Sequence, residues 1–130
     1  MKVLIDTCVW SNVLRHKSSD PAIAEKVIKL IKNGSVVMIG PIRQELLSGI
    51  SDAAQFSNVK DKLAAFEDIP LESDHFIKAA EFSNTCRKKG VQGSTIDFLI
   101  CAVSAIENLI VFTTDKDFVN YKKYLPIKLL

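Results

Sequence analysis

VLIDT, residues 3–7, is an apolar run that stops on a carboxylate, and its reading decides how the rest of the chain is understood. Val3, Leu4 and Ile5 show no polar alternation, so residues 2–6 read as a strand buried on both faces, as in a parallel sheet covered by helices. Asp6 falls where that strand ends. Its short side-chain oxygen suits the cap of a following helix, or else a site at which further acids must be aimed.

Similar apolar runs recur along the chain. SVVMI (35–39) and LIVFTT (109–114) read as buried strands, and IKLL (127–130) as a last one. Between them the pattern turns helical. A short helix is predicted over about 7–16. Another opens at Asp20-Pro21, carries Ile23, Val27, Leu30 and Ile31 at helical spacing, and stops at Asn33-Gly34. Gly40-Pro41 opens the next, since proline is tolerated in a first turn, and Ser48-Gly49 ends or interrupts it.

Residues 52–66 place Phe56, Val59, Leu63 and Phe66 on one stripe, and 72–89 do the same less cleanly with Phe76, Ala79, Ala80 and Cys86. This predicts an antiparallel helical pair, with Phe56, Phe66 and Phe76 in the core. Pro70 makes DIPL (68–71) a minor edge strand or only a turn. Ser94 begins a strongly apolar helix, and DKDFVNY (115–121) is a short helix or turn. The alternation predicts an α/β fold of three layers, α/β/α, with a mainly parallel sheet of four or five strands.

A chain of 130 residues that is 48% hydrophobic is expected to form one domain over 1–130 with its own core. Its net charge of +2 neither announces nor excludes a nucleic-acid partner. If acids gather at one site, the remaining surface is more basic than the total suggests, which suits a phosphate track. Cys8, Cys86 and Cys101 are odd in number and widely spaced, so they read as small buried side chains rather than a disulfide framework or zinc knuckle. His16 and His75 have no paired spacing and read as ordinary surface or boundary residues. MKVLID is not a signal peptide and no later run reaches the length of a membrane span, so a soluble cytoplasmic protein without membrane contact is expected.

Five acids sit at strand ends or in early helical turns: Asp6, Glu45, Asp97, Asp115 and Asp117. Each has an ordinary explanation. Asp6 and Asp115 can cap helices, Glu45 can be a partly exposed helical acid, and Asp117 can belong to a turn. Ser94 and Asp97 have the spacing of a capping box, in which the carboxylate closes back on the cap residue. However, an open parallel sheet binds ligands beyond the carboxyl ends of its strands, where Asp6 and Asp115 both stand. Carboxylates gathered there repel one another and call for a cation. Oxygen donors without histidine or cysteine suit Mg²⁺ or Mn²⁺. Such an ion favours phosphodiester hydrolysis, and Thr7 with Thr113 or Thr114 supplies hydroxyls at the same edge. The sequence contains neither a Walker-type phosphate loop nor a dinucleotide fingerprint.

Taken together, VLIDT, RQELLSG, STIDFLICAVS and FTTDKDF, in that order over nearly the full chain, resemble the PIN-domain ribonucleases, and more narrowly the VapC-type toxins of toxin–antitoxin pairs. The resemblance implies that Asp6, Glu45, Asp97 and Asp115 form an acidic catalytic site. Asp6, Asp97 and Asp115 would be the main metal ligands, Asp117 an accessory carboxylate, and Glu45 the residue that holds or activates water. Thr7 and Thr113 would be supporting hydroxyls. It further implies an endoribonuclease using Mg²⁺, with Mn²⁺ able to substitute, that cuts structured RNA such as tRNA or rRNA and arrests translation. A homodimer and a small cognate antitoxin are the implied partners. Arg43, Lys116, Arg87, Lys88 and Lys89 are candidates for contacting RNA phosphates, the last three also fitting a helix end, while Trp10 and Tyr121 are expected to be packed rather than stacked on bases. The rival readings are a metal nuclease acting on DNA or single-stranded ends, and a noncatalytic α/β protein that binds a partner.

Overall fold

The computed structural model describes residues 1–14 and 20–130, so His16 and the predicted extension of the first helix to about residue 16 lie outside the described residues. The chain runs β1 (Val3–Ile5), α1 (Thr7–Leu14), α2 (Pro21–Lys32), β2 (Val36–Val37), α3 (Gly40–Leu47) and α4 (Ala53–Leu63). It continues with α5 (Ser73–Lys88), α6 (Thr95–Ile106), β3 (Ile110–Phe112), α7 (Asp117–Lys122) and β4 (Lys128–Leu129). The four strands form one sheet in the order β2-β1-β3-β4, with every pairing parallel.

β1 is fully buried at the centre, in register with Val36–Val37 on one side and Ile110–Phe112 on the other. Because neighbouring strands run the same way, Asp6 and the residues after Phe112 leave the sheet at one edge. α6 is nearly continuous in buried residues from Phe98 to Ser104, as expected of a helix enclosed by its neighbours. α1 packs against α2 and α3, and α3 against α4, while α5 packs against α6 and α6 against β3. The fold is α/β with three layers, α/β/α. No helix among the described residues is long and apolar enough to cross a membrane.

The start and stop signals act as the sequence suggests. Asp20 caps α2 by accepting the Ala22 N–H, with Pro21 in the first turn, and Gly34 takes a left-handed φ of 66° just beyond the end. DIPL resolves into a single parallel bridge, Met38 to Asp68, with the Ile69 N–H donating to the Met38 carbonyl. It forms the sheet's edge for one residue, then Pro70 ends the pairing.

The expected helical pair is corrected. α5 makes its main packing on α6, not on α4. The buried face of α5 is His75, Phe82 and Cys86, with Ala79 half-buried on the same i, i+4, i+7, i+11 stripe. Phe76 lies off that stripe and is 53% exposed; Phe56 is likewise at the surface, so neither belongs to the core. Phe66 does pack inward, with its ring 5.3 Å from that of the buried Trp10.

His75 is also corrected, since it is buried rather than a boundary residue. Its Nδ1 accepts the Glu72 N–H at 2.9 Å, which leaves Nε2–H to donate to Glu107 at 3.1 Å. It therefore joins the start of α5 to the end of α6.

Candidate functional site

The acidic edge is assembled by hydrogen bonds between segments far apart in sequence. Thr113, just past β3, donates its hydroxyl to Asp6 Oδ2 at 2.8 Å and accepts the Asp115 N–H at 3.0 Å, tying the two strand-end acids together. Asp6 Oδ1 accepts the Thr7 N–H at 2.8 Å, and Thr7 Oγ1 donates to Glu45 Oε1 at 2.6 Å. Glu45 is exposed on α3. A cleft of ≈ 480 Å³ opens beside Thr7 and Glu45, walled by Ser11, Gln44, Ser48 and Ile96.

Asp97 decides between a helix cap and a site. The Ser94 hydroxyl accepts the Asp97 N–H at 3.1 Å, which is half of a capping box. The other half does not form. The Asp97 carboxylate instead accepts the Tyr121 hydroxyl at 2.7 Å and meets Asp115 and Asp117. One oxygen from each of these three acids lies within 4.8 Å of the other two. No salt bridge among the described residues neutralises any of them. The donor set is all oxygen and unpaired, which fits a hard divalent cation.

Asp117 belongs to the tight group, and its N–H turns back onto Asp115 Oδ1 at 2.9 Å, folding the loop tightly. Asp6 lies outside that group. Both its oxygens are engaged, Oδ1 by the Thr7 N–H and Oδ2 by Thr113 and by the Cys8 thiol at 3.4 Å. Cys86 and Cys101 are buried and unpaired, as their contexts suggest. Burial raises the Cys101 thiol strongly, helped by the charges of Asp97, Cys86 and Asp6, and leaves it unreactive.

Arg43 is engaged within the fold. Its guanidinium donates to the carbonyls of Leu63 and Phe66 and pairs with Asp68 at 2.8 Å, so it binds α3 to the chain after α4 rather than standing free for a phosphate. Lys116 is exposed between Asp115 and Asp117. Arg87 and Lys88 complete the last turn of α5, Lys89 follows as its cap, and all three are exposed.

Sequence reasoning missed one polar group. Tyr121 was expected to be packed, and its ring is fully buried, but its hydroxyl reaches the acids. The available signal was the i, i+4 spacing from Asp117, which puts both on one face of α7.

Comparison with known proteins gives the same picture. A family model for the PIN domain matches residues 3–124. The chain belongs to the PIN-domain family. No curated protein sequence matches it significantly. This PIN domain is similar in structure to FitAcB from Neisseria gonorrhoeae, with a TM-score of 0.81 at 18% identity, covering 98% of this chain and 96% of the other. VapBC2 from Rickettsia felis, bound to a DNA fragment from its promoter, also gives 0.81 at 18% identity, covering 100% and 98%. VapBC-5 from Mycobacterium tuberculosis, a member of the VapBC family of toxin-antitoxin systems, gives 0.72 at 19%, again covering 100% and 98%.

The burial of this PIN domain's Asp6 has a measurable consequence. Burial raises its carboxyl above the ordinary value of 3.8; hydrogen bonds from Thr113, Thr7 and Cys8 oppose the rise, and the Asp97 charge adds to it. A carboxyl raised in the fold contributes stability that is fully present below its unfolded pKa and is lost as pH rises through the folded one. Asp6→Asn in chelator is therefore expected to melt above wild type at neutral pH, with the gap closing as pH falls through the carboxylate range. Thermal melts across pH check this; a lower melting temperature at neutral pH would mean that the lost hydrogen bonds outweigh relief from burial.

Proposed function

We propose that this PIN domain is a metal-dependent endoribonuclease acting on structured RNA, the toxin of a toxin–antitoxin pair that arrests translation. The observation that carries this reading is the convergence of Asp97, Asp115 and Asp117, unpaired among the described residues, at the edge where a parallel sheet presents its strand ends.

In this reading Asp97, Asp115 and Asp117 hold Mg²⁺, with Mn²⁺ able to substitute. When bound, the ion supplies positive charge for a phosphoryl oxygen and lowers the pKa of water. Glu45 has one oxygen taken by the Thr7 hydroxyl. Its other oxygen accepts a proton from the attacking water, whose oxygen bonds to phosphorus as the P–O3′ bond breaks; the departing 3′ oxygen takes a proton from solvent, leaving 5′-phosphate and 3′-hydroxyl ends. Asp6 and Thr113 keep the two strand ends together while the charge at the edge changes. Lys116 faces the phosphate nearest the acids, and Arg87, Lys88 and Lys89 follow the RNA backbone further out.

The likeness to toxin–antitoxin structures supports a small antitoxin as a partner; in this reading the chain also pairs with a second copy of itself and works in the cytoplasm. The test is gel-resolved cleavage of a tRNA and rRNA pool, beside matched DNA, by antitoxin-free protein with Mg²⁺, Mn²⁺ or chelator. Discrete RNA fragments that vanish with chelator are expected, with DNA left intact. Equal cutting of DNA would replace the substrate class, and folded protein inert in both metals would favour a noncatalytic binding role.

A further inference from the structure

The Tyr121 ring is immobilised. Its centroid lies 5.1 Å from both Phe98 and Phe118, in tilted and edge-on contact, and none of its surface is exposed. A buried phenol needs a partner for its hydroxyl, and this one donates to a carboxylate 24 residues away on another helix.

Gly93 is fitted to the same hydroxyl. A Cβ at that position would lie 2.4 Å from Tyr121 Oη and 2.8 Å from its Cζ. No positive φ requires glycine there. Close approach does.

We propose that Tyr121 is a positioning residue for the metal group, fixing the plane of the Asp97 carboxylate toward Asp115 and Asp117, and that residue 93 is glycine to leave room for that hydroxyl. This rests on the reading of the three acids as a metal site. Without a cation, like charges turn apart. A hydrogen bond from a clamped ring keeps Asp97 in place and removes that reorganisation from the binding step, as outer hydrogen bonds to metal ligands do elsewhere. It also accounts for the unclosed capping box at Ser94, since the carboxylate is held away from its own helix end.

Mn²⁺ titration followed by electron paramagnetic resonance, without RNA, provides the test. Tyr121→Phe removes the oxygen alone and is expected to weaken Mn²⁺ binding roughly tenfold, the lower end of the usual range because Asp97 is only half-buried and water can take the vacated place. Gly93→Ala is expected to do the same by displacing the ring, and the double variant to be no weaker than the worse single one. In cleavage assays, Tyr121→Phe should need more Mn²⁺ for half-maximal rate, recover at high Mn²⁺, and keep its KM for RNA. Wild type that binds and a Tyr121→Phe that binds equally well overturn the positioning role while the metal reading stands; wild type that binds no Mn²⁺ overturns both. If Gly93→Ala does not fold, Tyr121→Phe still decides.

Discussion

Asp97→Asn is expected to lower RNA cleavage by at least about a hundredfold while its melting temperature in chelator stays equal to or above that of wild type. Loss of a ligand should exceed the effect of losing a group that only orients one, which sets the lower bound. Asparagine keeps the side chain's size and an oxygen able to accept the Tyr121 hydroxyl, so packing is preserved. It removes one of three converging charges, which relieves repulsion. The two effects therefore point in opposite directions. Saturating Mn²⁺ should reverse the stability order, because an ion that binds the folded state raises the melting temperature of wild type more than that of the variant. Paired melts and cleavage rates check it. An ordinary helical acid would show no loss of activity and no metal-dependent reversal.

The second large effect lies away from the acids. Arg43→Ala is expected to destabilise by about 2 kcal/mol, a fall in Tm of roughly 6–10 °C. The Asp68 pair contributes little, since that carboxylate is 41% exposed. The loss comes from the Leu63 and Phe66 carbonyls, each of which forfeits a charged donor. Lysine cannot reach both, because it lacks the planar fork, so Arg43→Lys should recover little. RNA affinity per folded molecule should not change. A drop in affinity with unchanged Tm would restore the phosphate-contact role.

The strongly periodic elements were legible in the sequence because local pattern and burial agree there. β1, β3, α2 and α6 follow their apolar runs closely. α5 was misread for a physical reason: its buried stripe begins with His75, a polar residue whose cost of burial is offset by partners at Glu72 and Glu107 that composition does not reveal. Phe76 drew the stripe one residue off. At the site, the identity of the acids could be read, but their grouping could not. Asp6 is held by Thr113, 107 residues away, and the Asp97 carboxylate is turned from its capping box by Tyr121. These are competitions for one oxygen between a near partner and a distant one.

The position of β1 between β2 and β3 also sets the order of events during synthesis. Val3–Ile5 leaves the ribosome well before its partner Ile110–Phe112. Pairing across so long a loop is slow, and domains complete only once the distant partner is available. Asp6 meets Thr113, and the acids of α6 and α7 meet each other, only then. A nascent chain thus carries Asp6 with no site around it until the segment from β3 to α7 has emerged, and the acidic edge closes when that segment arrives.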